Sequence, residues 1–110
     1  EVKKHTRRIQ GAAQACALVD VLSTFGEIAE RNRYCHPKIE GDSRLRVVDG
    51  RHPVVEQMNL SESFVPNDTF LDSEKDQIML ITGPNMAGKS TYIRQVALIT
   101  LMAHIGSFVP

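Results

Sequence analysis

The stretch Ile78-Met79-Leu80-Ile81-Thr82-Gly83-Pro84-Asn85-Met86-Ala87-Gly88-Lys89-Ser90-Thr91 decides how this chain is read. From Gly83 it follows the pattern G-x-x-x-x-G-K-[ST], in which each fixed residue has a physical task. Gly83 and Gly88 let the backbone turn tightly and approach a phosphate closely. The residues between them, Pro84, Asn85, Met86 and Ala87, complete a loop whose N–H groups point at bound phosphates. Lys89 reaches the outer phosphates as a point charge, and the hydroxyl of Ser90, just before Thr91, ligates Mg²⁺. The helix that begins there adds its positive end. With glycine at roughly 7% of average usage, the four fixed positions coincide by chance a few times in about 100,000 windows. A 110-residue chain does not show them by accident.

Outward from the loop, the context fits. Ile78 to Thr82 is a short apolar run with β-branched members, preceded by the polar Asp72-Ser73-Glu74-Lys75-Asp76. It predicts a buried strand. After the loop, Tyr92, Ile93, Val96, Ala97, Leu98, Ile99, Leu101, Met102 and Ile105 predict a largely buried helix that Gly106 stops. Strand, loop and helix come in the order the motif needs, so the fold class is α/β.

At the other end, a helix is expected from the first residue to about Arg33. Ala15, Leu18, Leu22, Phe25 and Ala29 recur at three- and four-residue steps and draw one apolar stripe; Val2, Ile9 and Cys16 add a line at heptad spacing. Its first two turns hold Lys3, Lys4, Arg7 and Arg8, the wrong sign for a helix start, with no capping side chain. The natural N-terminus is therefore expected upstream. A nucleotide-binding sheet needs several parallel strands, and only one βα step follows here, so the chain is expected to be an excerpt of a larger protein.

Between helix and loop the sequence reads as strands and turns. Tyr34-Cys35-His36-Pro37 is expected to end the first helix, because the residue before proline is pushed out of the helical region. Gly41-Asp42-Ser43 is a turn, Leu45-Arg46-Val47-Val48 a short strand, and Asp49-Gly50 a hairpin-type turn. Arg51-His52-Pro53 leads to Val54-Val55-Glu56. Asn59 to Ser63 is loop-like, Phe64-Val65-Pro66-Asn67-Asp68 is extended with proline marking an edge, and Thr69-Phe70-Leu71 is another strand. The change of composition near Pro37 marks the domain boundary, giving 1–36 as a long-helix segment and 37–110 as the part that carries the loop.

The composition is balanced. Thirteen basic residues face thirteen acidic ones, so no global basic field points to nucleic-acid binding by these residues. The basic cluster at Lys3 to Arg8 reads as a solvated helix face. Cys16 and Cys35 lack C-x-x-C spacing and read as reduced thiols of a cytosolic protein. No contiguous apolar run approaches the ~20 residues needed to cross a membrane. His5, His36 and His104 have no metal spacing, and His52 reads as structural because no nucleophile or carboxylate stands at a meaningful spacing. Met79, Met86 and Met102 read as packing.

The run from Ile81-Thr82-Gly83 through Tyr92-Ile93-Arg94-Gln95 resembles the nucleotide-binding loop of the MutS family, DNA mismatch-recognition ATPases. Gly50-Arg51-His52-Pro53-Val54-Val55-Glu56 and Phe64-Val65-Pro66-Asn67-Asp68 are similar to the two segments that precede that loop. Leu101 to Pro110 is similar to the one that follows. The first helix resembles the end of the long core and lever helices. The detail looks most like the bacterial mismatch-repair type.

The resemblance implies a partial P-loop NTPase domain of the ABC-ATPase-like kind, preceded by a long helix. It implies a composite ATPase site at a homodimer interface. Gly83 to Thr91 would hold the phosphates of ATP, with Mg²⁺ on Ser90. Phe64 and Val65 match the positions that pack against adenine. Physically, a phosphate loop does not choose a base, and an upstream aromatic beside it can stack on one. Read without the family, Phe64 is as readily a core aromatic. Asn85 would act near the γ-phosphate. Further implied partners are mismatched double-stranded DNA, bound through domains outside these residues, and a downstream repair factor such as MutL. Localisation would be cytoplasmic, without a membrane. The acidic residues that complete the metal site and activate water lie outside this sequence, as does the mismatch-reading wedge. Catalytic residues are thus absent, and the isolated 110 residues are expected to turn over little ATP. Two other readings remain: another P-loop enzyme, such as a small kinase, and a nucleotide-binding interaction module.

Overall fold

The computed structural model describes residues 2–58 and 63–110. Five elements follow one another: α1 Val2–Asn32, β1 Leu45–Gly50, α2 Val55–Met58, β2 Asn67–Leu71 and α3 Lys89–His104. The expected loop at Asn59 to Ser63 lies, except for Ser63, outside the described residues. By its internal contacts the chain divides between Tyr34 and Cys35.

The first unit is α1. Its first turn carries no acidic residue, and the i,i+4 pair Glu27–Arg31 closes at 2.5 Å near its end. Pro37 is not what stops it. Arg33 adopts a left-handed φ of 55°, the Tyr34 N–H donates to the Ala29 carbonyl at 2.9 Å, and the Arg33 N–H donates to that of Glu30. This is a Schellman ending with arginine in the place glycine usually takes. By length and composition α1 also holds a window apolar enough to cross a membrane, although it contains no contiguous apolar run of that length. A windowed average tolerates the isolated Asp20 that interrupts a run, and helices that pack on protein pass the same test.

The second unit is built on β1 and β2, which pair antiparallel with Leu45 opposite Leu71, Arg46 opposite Phe70 and Val47 opposite Thr69. Both strands stand where the apolar patterns put them. The Asp49-Gly50 hairpin turn is corrected: both residues lie inside β1, and the register shifts between Val47 and Gly50. One type of bulge takes the same left-handed residue as a tight turn, and Asp49 supplies it at φ 52°. The side chain of Asp68 on β2 fixes the bulge by accepting the Asp49 N–H at 2.8 Å.

The strand expected at Ile78 to Thr82 is also corrected. The described residues there carry no ladder, and Ile78 and Leu80 are 89% and 86% exposed. A strand is defined by its neighbours, and β1 and β2 pair with each other instead. Nor is the described sheet parallel. α3 begins and ends as expected, and Gly106 closes it at φ 82°, with the Ser107 N–H bonded to Met102 and the Gly106 N–H bonded to Ala103. It is buried along one stripe only. Gln95 and Ile99 are buried, whereas Ile93, Leu101 and Ile105 are exposed. The inner stripe meets β1 through Gln95, whose fully buried amide donates to the Gly50 carbonyl at 2.9 Å. Cys35 and Val109 form an isolated antiparallel bridge, and both cysteines are free thiols.

Candidate functional site

The 83–91 loop derives its shape from three left-handed residues: Gly83 at φ 142°, Met86 at φ 66° and Gly88 at φ 84°. Glycine tolerates this without strain, whereas Met86 stands fully exposed at the tip. Gly88 is also the N-cap of α3. It offers no side-chain cap, and the first turn of the helix holds no acidic residue. No side chain of that turn offsets the partial positive charge that the first N–H groups of a helix carry.

Lys89, the first residue of α3, is folded back over the loop. Its ammonium donates to the Gly83 carbonyl at 2.6 Å and to the Pro84 carbonyl. An ammonium has three N–H donors, so one remains for an anion beside the loop. Ser90 is exposed on the same turn, and Thr91 is half-buried.

Beside this loop opens a cleft of about 380 Å³. Its lining includes Phe64, Val65, Thr82, Ala87, Gly88, Lys89 and Thr91. The structure thus brings Phe64 and Val65 against the loop, although about twenty residues separate them in sequence. Gly83, Pro84, Asn85, Met86 and Ser90 do not line the cleft and are exposed on the same loop beside it. Asn67, Ile81, Thr82 and Tyr92 also line the cleft, though the sequence reading does not assign them to the site. Asn67 holds the platform, its amide donating to the Val65 carbonyl at 3.0 Å. Among the described lining residues there is no carboxylate.

His52 is structural. It is buried, and its Nδ1 accepts the N–H groups of Val54 and Val55 at 3.2 Å each. That caps α2, a helical turn without a sequence signal, because the cap is an imidazole and not a Ser, Thr, Asn or Asp. Arg51 and Glu56 brace the same turn at 3.1 Å. The described residues contain no cluster of three metal-ligating side chains.

Comparison with known proteins now defines the class. The family model described as MutS domain V matches residues 79–110, which hold the loop and α3. DNA mismatch repair protein MutS of Acetivibrio thermocellus is 54% identical over 110 residues, covering all of this chain and 13% of that protein. The protein of the same name from Pelotomaculum thermopropionicum is 58% identical over 103 residues, 94% of this chain and 12% of the relative. That of Chloroflexus aurantiacus is 56% identical over 110 residues, all of this chain and 11% of the relative. The chain belongs to the MutS family, and it spans about an eighth of the length of the curated relatives it matches.

Proposed function

We propose that these residues form the nucleotide cradle of a MutS-type ATPase acting in DNA mismatch repair. The observation that carries this reading is the cleft that joins Phe64 and Val65 to Thr82, Gly88 and Lys89. One wall is apolar and aromatic, suited to a flat base. The other is a left-handed turn, an uncompensated helix start and a lysine with a spare donor, suited to phosphates.

The residues present fit ATP with Mg²⁺. Gly83 to Thr91 would surround the phosphates, Lys89 would neutralise their charge, Asn85 would reach the outer phosphate, and the exposed Ser90 hydroxyl would ligate the metal. Bound Mg²⁺ would further neutralise charge on the transferring phosphoryl group. The part these residues play is binding and orientation, and among the described residues of the cleft lining none is a carboxylate that could accept a proton from water. In the whole protein, nucleotide binding and hydrolysis would drive a conformational change on mismatched double-stranded DNA, in a cytoplasmic homodimer that recruits a factor such as MutL. Residues 1–36 would be the end of the long core and lever helix, and 37–110 the start of a P-loop NTPase domain of ABC-ATPase-like fold.

The test is a fluorescent-nucleotide titration of the full-length protein with Lys89→Ala. A charge-assisted bond to phosphate is worth about 1.5–3 kcal/mol, so ATP affinity is expected to fall about 10- to 150-fold. Unchanged affinity would show that the loop does not bind the nucleotide.

A further inference from the structure

Tyr92 lies one turn into α3, on the wall of the cleft, and its hydroxyl is a junction. Thr69 Oγ1 lies 2.7 Å away, the Asp68 carbonyl 3.1 Å and Met79 Sδ 3.3 Å. The first two belong to β2, and Met79 belongs to the segment that runs into the 83–91 loop. A phenol has one proton, which fixes the roles. Tyr92 donates to the Asp68 carbonyl, the Thr69 hydroxyl donates to Tyr92, and the Met79 thioether rests against the Tyr92 hydroxyl. Thr69 is 3% exposed, so water does not replace this partner.

The placement of β2 matters because the base platform hangs from it. Phe64 and Val65 immediately precede Pro66 and β2, and Asn67, the first residue of β2, grips the Val65 carbonyl. Asp68 is held twice: its carbonyl by Tyr92, and its side chain by the Asp49 N–H of the β1 bulge. One hydroxyl therefore couples the first turns of α3, the approach to the loop and the strand that carries the platform.

We propose that Tyr92 is a positioning residue that sets the separation between the base-binding wall and the phosphate-binding wall of the cleft. The inference rests on the nucleotide-cradle reading above. Removing the hydroxyl leaves the loop, Lys89, the start of α3 and the β1–β2 ladder intact but unties the platform end of β2 from α3. Affinity for the base should fall while affinity for bare phosphates stays.

The experiment compares ATP, GTP and inorganic tripolyphosphate as ligands of the full-length protein, wild type against Tyr92→Phe. Loss of one or two hydrogen bonds predicts a fivefold to tenfold weaker ATP affinity, within about twofold of unchanged tripolyphosphate affinity, and narrower discrimination between ATP and GTP. Thr69→Val, which keeps the ring but removes the donor, should give the same pattern more weakly. Thr69→Ser, which keeps the hydroxyl, should restore wild-type values. Equal weakening of ATP and tripolyphosphate, or no change in either, overturns the proposal. If Tyr92→Phe does not fold, the two Thr69 variants decide on the same criteria. Failure of wild-type protein to bind tripolyphosphate would instead count against the phosphate cradle itself.

Discussion

A Cβ built on Gly50 would stand 2.5 Å from Val47 Cγ1, 3.1 Å from Gln95 Nε2 and 3.2 Å from the Asn67 carbonyl. One built on Gly88 would meet nothing within 4 Å, yet the backbone there is left-handed. Gly50 is thus required by crowding and Gly88 by conformation, and the two substitutions should fail differently. Gly50→Ala overpacks the β1 bulge against Val47, Asn67 and Gln95 of α3 and is expected to cost about 1–3 kcal/mol of stability, seen as a lowered melting temperature of the full-length protein. Gly88→Ala costs about 1–2 kcal/mol locally, at the turn, and should weaken ATP binding about fivefold to thirtyfold with little change in melting. Equal loss of melting temperature in both variants would contradict this division. Sequence showed the demand at Gly88, because a motif fixes it. It could not show the demand at Gly50, because the crowding arises where the bulge turns Val47 inward and where Asn67 and Gln95 approach from other elements.

At the scale of elements, the turn between β2 and the loop is organised by one carboxylate. Asp72 Oδ1 accepts the N–H groups of Lys75 at 2.6 Å, Glu74 at 2.7 Å and Asp76 at 3.2 Å. The bonds from Lys75 and Glu74 hold the Asp72 carboxyl below its ordinary range. A lowered folded-state value means that the contribution is present above the ordinary carboxylate range and is lost as pH falls through the lowered one. The amide resonances of Glu74 and Lys75 should therefore move together only below about pH 4. Asp72→Asn should abolish that titration while keeping an accepting oxygen in place. A midpoint at or above that of a free aspartate would refute the assignment. What was legible at this scale followed the chemistry of local sequence. α3, β2 and most of β1 carry their own apolar periods, and Gly106 carries its own stop. The segment 78–82 was misread because strand character is a relation between segments, and an apolar run does not name its partner. Asp49-Gly50 was misread because tight turns and one type of bulge make the same demand on φ. In the candidate site, Phe64, Val65 and Lys89 were legible through motif and resemblance. Tyr92 and Asn67 were not, since their importance lies in what they touch across the fold.

At the scale of the whole molecule, the described residues bury little apolar surface. Ala29, Ile99 and Val109 are the buried apolar side chains among them, whereas Leu18, Leu22, Ile78, Leu80 and Leu101 are more than half exposed. The side chains at the center of the second unit are unusually polar, with His52, Thr69, Gln95 and Ser107 buried. Polar contacts such as Gln95 with Gly50 specify geometry but contribute only about 1 kcal/mol each. The main stabilising term is apolar burial, at about 25 cal/mol per Å², and much of that surface faces solvent here. Exposed apolar runs and an unpaired extended segment favour association with other copies. The isolated 110 residues are therefore expected to self-associate in sedimentation velocity at micromolar concentration and to unfold over a broad range of temperature. With no carboxylate among the described residues of the cleft lining, they should also turn over ATP at no more than the buffer rate. The two measurements test separate statements. A stable monomer with a sharp melting transition would show that this polar core suffices alone, and steady ATP turnover by that monomer would show that the residues hold a complete catalytic centre.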